Sequence, residues 1–139
     1  MKKSLWSLLL VMLFSLNILA APKMIKHELG QAQISGVPKR VVVFDYGLLD
    51  IVDAVGGNIV GVVKDNLPQS LKKFSDKKYT NIGTLFEPNY ETLIKLKPDL
   101  ILISGRQEKV YKELNKIAPT IYLTVDGPTY MNDLKKILF

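Results

Sequence analysis

The chain has 139 residues, no cysteine, a single histidine and a formal charge of +6 at pH 7. That length fits one domain held by a conventional core. The missing cysteines exclude disulfides and a Cys–His nucleophile pair, and one histidine excludes a multi-histidine zinc site.

The amino terminus carries an export pattern. Met1-Lys2-Lys3 is a basic start, Leu5 to Leu19 is almost wholly apolar, and Ala20-Ala21 supplies small residues for a cleavage site. This predicts a secretory signal peptide over residues 1–20, cut after Ala20 because a bond directly before Pro22 is a poor substrate. The apolar run falls short of the ~20 residues of a spanning helix, which argues against an uncleaved anchor. Removal of Lys2 and Lys3 takes the formal charge from +6 to +4. No cysteine stands at the cut for lipid attachment, so the expectation is a soluble periplasmic protein of a Gram-negative-type envelope, not a lipoprotein. The remaining positive excess is spread over Lys72, Lys73, Lys77, Lys78 and helix surfaces, with no arginine stripe interleaved with aromatics. Nucleic-acid binding is therefore not expected, whereas a mildly basic cleft for an anion is compatible with the charge.

From Met24 to Val37 the residues predict a small hairpin turning at Leu29-Gly30-Gln31, and the segment 21–37 is read as a strand or hairpin unit. Val41 to Phe44 is a continuous apolar, β-branched run and reads as a buried strand. Asp45-Tyr46-Gly47 is a loop. Leu48, Leu49, Ile51, Val52 and Val55 give a helical stripe that Gly56-Gly57 ends. Ile59 to Val63 is a second strand, Lys64-Asp65-Asn66 its exit, and Leu67 to Phe74 a short helix that tolerates Pro68 in its first turn. Thr80 to Gly83 is a short strand, followed by a loop at Thr84-Leu85-Phe86-Glu87-Pro88. The next helix begins near Asn89, buries Tyr90, Leu93 and Ile94, and cannot continue through Pro98. Leu100 to Ile103 is a strand and Gln107 to Ala118 a helix with Val110, Leu114, Ile117 and Ala118 on one face. Thr120 to Val125 is the last strand and Asp126-Gly127-Pro128 a turn. Tyr130, Met131, Leu134, Ile137 and Leu138 open an amphipathic helix without a cap, which predicts a helix cut short and leaves Met131, Leu134 and Leu138 partly exposed.

Strands alternating with helices imply an α/β lobe with a mostly parallel, Rossmann-like sheet and helices on both faces. It spans residues 38–126, and residues 127–139 form the start of a further helix. In such a sheet the strand exits share one edge, where ligands bind. Here they are Asp45-Tyr46-Gly47, Lys64-Asp65, Thr84-Leu85-Phe86 and Ser104-Gly105-Arg106-Gln107. That set suits an anionic or aromatic ligand. Arg106 is the leading candidate, because a guanidinium bonds carboxylate-like or catecholate-like oxygens in bidentate fashion. It is equally readable as a solvated helix-start residue or as a salt-bridge partner of Glu108 or Asp126. Lys64 reads more readily as an ordinary surface cation, and Tyr46 either stacks on a ligand or covers the rim. His27 is expected at the surface of the hairpin. The dinucleotide and phosphate-loop fingerprints are absent. Glu87 and Glu91 stand at a helix start, where acids favour the macrodipole by ~0.3–1 kcal/mol; the other reading is contact with a partner that carries arginines.

The stretch from Pro38 to Val125 resembles the amino-terminal lobe of the periplasmic siderophore- and cobalamin-binding proteins of ABC importers. The resemblance rests on Pro38-Lys39-Arg40-Val41-Val42-Val43, the Leu48 to Gly57 helix, Gly83-Thr84-Leu85-Phe86-Glu87-Pro88-Asn89-Tyr90-Glu91, and Leu96-Lys97-Pro98-Asp99-Leu100-Ile101. The Leu-Phe-Glu-Pro and Ile-Ser-Gly-Arg-Gln versions look closest to catecholate-type, including petrobactin-type, ferric-siderophore binders. The resemblance implies a non-catalytic solute-binding component for iron uptake, with an Fe(III)–siderophore complex as ligand and no resident cofactor or metal. Arg106 would contact the siderophore, with Tyr46, Lys64, Phe86 and Gln107 lining the cleft. Glu91, with Glu87, would dock on the ABC permease. Residues 127–139 would begin the helix between two lobes, the second lobe being absent from this chain. The alternatives are a heme- or cobalamin-binding relative, which would not require Arg106, and a small periplasmic α/β enzyme, which lacks a nucleophile–base pair.

Overall fold

A computed structural model describes residues 21–124 and 130–139. The signal segment, and the expected end of the last strand and turn at Val125 to Pro128, lie outside the described residues. Strands β1 (Lys23–His27) and β2 (Gly30–Ile34) form an antiparallel hairpin. Its turn is Glu28-Leu29, with His27 paired to Gly30, one residue earlier than expected. The second sheet holds β3 (Val41–Val43), β4 (Ile59–Val62), β5 (Thr80–Asn81), β6 (Leu100–Ile103) and β7 (Thr120–Tyr122). Its order is β5-β4-β3-β6-β7 and every pairing is parallel.

A parallel strand is buried on both faces and reads as a continuous apolar run. Strand β3 shows the consequence. Val41 and Val43 join one core, while Val42 and Phe44 join the other. The first core is covered by α1 (Tyr46–Ala54), by a 3₁₀ stretch at Gln69–Ser75, and by α4 (Tyr130–Leu138). The second is covered by Leu93 of α2 (Tyr90–Leu96) and Leu114 of α3 (Tyr111–Ile117). Helices thus flank both faces of the sheet.

Several local expectations are corrected. The Leu67–Phe74 segment is a 3₁₀ helix, because Leu71 and Phe74, three apart, eclipse on a three-residue turn and both point into the core. The expected helix at Gln107 is entered through a 3₁₀ turn at Gly105–Val110. Ile94 is 60% exposed rather than buried. The short α2 packs through Tyr90, Leu93 and Leu96, and Ile94 falls on the outer flank. Leu134 and Leu138 of α4 are buried against the first core, so of the three residues expected to protrude only Met131 does.

The amino-terminal edge of the sheet is clamped by side chains. Asp99 accepts from the backbone N–H groups of Lys39 (2.7 Å) and Arg40 (2.8 Å), just before β3. Arg40 in turn donates from Nη2 to the Leu96 carbonyl at 2.6 Å and from Nε to the Lys97 carbonyl at 3.2 Å, closing the end of α2. Orphan carbonyls at a helix end are thereby satisfied. The clamp fixes where β3 and β6 begin, and so where they deliver their exits on the opposite edge.

His27 is not the surface residue expected of it. Its ring meets Tyr111 edge-on, with centroids 5.4 Å apart. Both ring nitrogens are buried, and neither makes a hydrogen bond of full geometry among the described residues. Burial holds its pKa below the ordinary 6.5, against a smaller upward pull from the Thr120 backbone. The unfolded chain therefore takes the proton first. Stability from neutral His27 is full above the unfolded pKa and is lost as pH falls from about 6.5 toward the folded value. Urea midpoints at about pH 7.5 and pH 5 should drop more for the parent than for His27→Phe, which packs on Tyr111 without titrating.

Candidate functional site

The chain runs from β3 through α1 to β4 on one side, and from β6 through α3 to β7 on the other. The gap between the carboxyl ends of β3 and β6 is the topological switch point, where the flanking connections diverge and leave a crevice. Residues from both exits meet there. Asp45, 7% exposed, caps α1: its Oδ1 accepts from the backbone N–H of Gly47 (2.8 Å) and Leu48 (3.1 Å). Its Oδ2 accepts from the Ser104 hydroxyl at 2.9 Å and from Arg106 Nη1 at 3.3 Å. The Arg106 side chain remains 53% exposed. Its ionic partner is therefore Asp45 of the other exit, not Glu108, and Asp126 lies outside the described residues. Sequence reading gave Asp45 no role beyond standing in the β3 exit. Its signature, an Asp directly after an apolar strand and before a helical stripe, is that of an N-cap, which sequence reading does not connect to an arginine far along the chain.

Tyr46 bridges the β3 and β4 exits, its hydroxyl donating to the Asp65 carbonyl. Burial, and then the Asp65 carboxylate, push its phenol pKa up, with Arg106 opposing. Beside it is a shallow hollow of about 200 Å³ walled by Tyr46, Asp65, Asn66, Thr84, Leu85 and Phe86. Phe86 is 65% exposed at the tip of the Gly83–Pro88 loop, where it stands as an open aromatic face. Thr84 Oγ1 holds that tip by accepting from Phe86 N (3.2 Å) and Glu87 N (3.0 Å). Larger hollows of about 320 and 370 Å³ lie toward the amino ends of the strands, around Asn58 and Pro119, away from the switch point and its cation.

Two expected lining residues are placed otherwise. Gln107 is fully buried. Its Oε1 accepts from Ser104 N at 3.1 Å, and its Nε2 donates to the Leu85 carbonyl at 2.5 Å. Both ends of the amide are occupied, so it ties the β6 exit to the Phe86 loop instead of facing a ligand. Lys64 donates to the Ser75 (3.3 Å) and Asp76 (2.9 Å) carbonyls at the end of the 3₁₀ stretch, a cation closing a helix end. Arg106 stays at the switch point near Tyr46, and Phe86 lines the hollow beside Tyr46. Glu87 and Glu91 are exposed beyond β5, in the Phe86 loop and the first turn of α2. Glu91 pairs with Lys95 at 2.6 Å one turn on, with both side chains solvated. Among the described residues, no group of three or more His, Cys, Asp or Glu is placed to hold a metal.

The family model for periplasmic binding proteins matches residues 41–137, most of the described structure. The chain belongs to the periplasmic binding protein family. The petrobactin-binding protein YclQ of Bacillus subtilis is 47% identical over 115 residues, covering 80% of this chain and 36% of the relative. The Fe(3+)-citrate-binding protein YfmC of the same organism is 44% identical, covering 78% of this chain and 35% of the relative. The crystal structure of the periplasmic catecholate-siderophore-binding protein VctP from Vibrio cholerae superposes with a TM-score of 0.78 at 39% identity, covering 84% of this chain and 45% of that one. This chain thus spans about a third of the length of these curated relatives (36% and 35%). The family is one of extracytoplasmic substrate-binding proteins, and its lobe is the α/β sheet described above.

Proposed function

We propose that this chain is the amino-terminal lobe of a solute-binding protein that captures a ferric siderophore and delivers it to an ABC permease. The observation that carries the reading is Arg106, presented half-exposed at the switch point near Tyr46, which in turn shares a hollow with the Phe86 tip. A guanidinium fork suits the paired oxygens of a catecholate or citrate, and an open aromatic suits the flat faces of such a chelator. The three relatives bind petrobactin, Fe(3+)-citrate and a catecholate siderophore by their names, which supports an anionic iron(III) chelate as the shared ligand class. The ligand is cargo; no resident cofactor and no catalytic step belong to this reading. Residues 1–20 serve as a cleaved export signal, residues 38–126 form the lobe, and α4 begins the helix toward a second lobe. Glu87 and Glu91 face the permease. The working compartment is the periplasm, reached without lipid attachment. One wall of a cleft buries only part of a ligand, so the affinity of this chain alone is low.

The test uses tyrosine emission, since the sole tryptophan, Trp6, leaves with the signal. Quenching by an iron(III) bis-catecholate complex should give a dissociation constant about tenfold weaker in Arg106→Ala than in the parent. Equal binding by both would remove the anionic-chelate reading and favour a heme- or cobalamin-type ligand.

A further inference from the structure

The cap of α1 needs only one oxygen, and Asn or Ser caps a helix about as well as Asp. Asp45 nevertheless places a whole carboxylate in a nearly closed site, where an unsatisfied charge is costly. Its second oxygen turns away from α1 and crosses the switch point to Ser104 and Arg106. The main chain from which Arg106 springs is held as well, by Gln107 tied to Ser104 N and to the Leu85 carbonyl.

We propose that Asp45 is a positioning residue for the ligand site, anchoring Arg106 through Nη1 so that the remaining donors of its fork are presented to the chelate in a fixed orientation. The proposal rests on the ligand reading above. An arginine carries five donors in a rigid plane, and one anchor orients the rest. A side chain already ordered gives up less rotamer freedom when the ligand arrives. The Asp45–Arg106 pair is also neutral as a unit, so the site selects by the geometry of its hydrogen bonds more than by net charge.

Asp45→Asn keeps an oxygen for the α1 cap and turns an amide donor toward Arg106, donor against donor. Asp45→Ser keeps the cap and removes the second arm, and serves if the Asn variant folds poorly. In the ligand-free parent, nitrogen NMR of Arg106 should resolve Nη1 and Nη2 as separate, slowly exchanging signals; in either variant they should merge into one averaged signal. Affinity for the iron(III) bis-catecholate should fall about tenfold in Asp45→Asn, and by less than about twofold when the same change is made in an Arg106→Ala background. Equally averaged Arg106 signals in parent and variant would overturn the positioning role. So would tighter binding by Asp45→Asn, or an equal loss with and without Arg106. An Arg106→Ala change without effect on affinity would instead overturn the ligand reading, with the NMR comparison still deciding whether Asp45 anchors the side chain.

Discussion

Gly83→Ala is expected to destabilise the chain by about 3 kcal/mol and to open the loop that carries Phe86. Gly83 has φ of +112°, a conformation that L side chains rarely adopt. A Cβ built there meets the Glu87 carbonyl oxygen at 2.3 Å and Asn89 N at 2.7 Å. Both are backbone atoms, so no rotamer change relieves the clash. The loop is tightly closed: Thr84 N donates to Glu87 O at 3.0 Å, and Asn89 N donates to Ile82 O at 2.8 Å. Asn89 also caps α2 through Thr92 N at 2.9 Å. Opening the loop therefore disturbs the aromatic tip, the α2 cap and the placement of Glu91 together. Gly36 is the internal control. Its φ is +72°, but nothing lies within 4 Å of its added Cβ, so Gly36→Ala should cost only the left-handed penalty of about 1–2 kcal/mol. Urea titrations followed by circular dichroism would rank the two, and similar midpoints would contradict the closed-loop geometry.

Ile101→Ala is expected to cost about 2–5 kcal/mol, against less than about 0.5 kcal/mol for Ile94→Ala. Ile101 is fully buried in β6, which has β3 on one side and β7 on the other, and belongs to the core under α2 and α3. Truncation there leaves a cavity that paired backbone on both sides cannot collapse to fill. Ile94 has the same chemistry and lies in a neighbouring element, yet it is mostly solvent-exposed. Equal losses for the two, measured by urea midpoint, would show that the side assigned to α2 is wrong.

That pair of isoleucines shows what the amino-acid pattern does and does not carry. The strands were legible because a parallel strand buried on both faces is an unbroken apolar run, and Val41 to Phe44 and Leu100 to Ile103 are such runs. The helices were legible in place but not in detail. Tyr90, Leu93 and Ile94 fit a helical face, but so do Tyr90, Leu93 and Leu96, and the tilt of two short turns on the sheet decides between them. The 3₁₀ character at Gln69–Ser75 follows from a three-residue repeat too short to separate from an α-helical one. At the candidate site, the position of Arg106 on the carboxyl edge was legible because it follows a buried strand of a parallel sheet. The role of Asp45 was not. Its partnership with Arg106 depends on β3 and β6 lying side by side, and that adjacency is a property of strand order. The side-chain partners of Gln107 and Lys64 were not legible for a related reason. Each stands in an exit loop, but their long side chains turn back to satisfy the Leu85, Ser75 and Asp76 carbonyls.

The central claim is that the carboxyl edge at β3 and β6 receives an iron(III) chelate. Backbone amide NMR is suited to the weak affinity of a single cleft wall. Titration of the mature chain with a gallium(III) bis-catecholate, a diamagnetic stand-in for the iron complex, should shift the amides of Asp45, Tyr46, Leu85, Phe86, Ser104 and Arg106. Those of Gly57, Asn58 and Asp99 on the opposite edge should stay in place. Shifts centred on that opposite edge, or none anywhere up to millimolar chelate, would contradict the account.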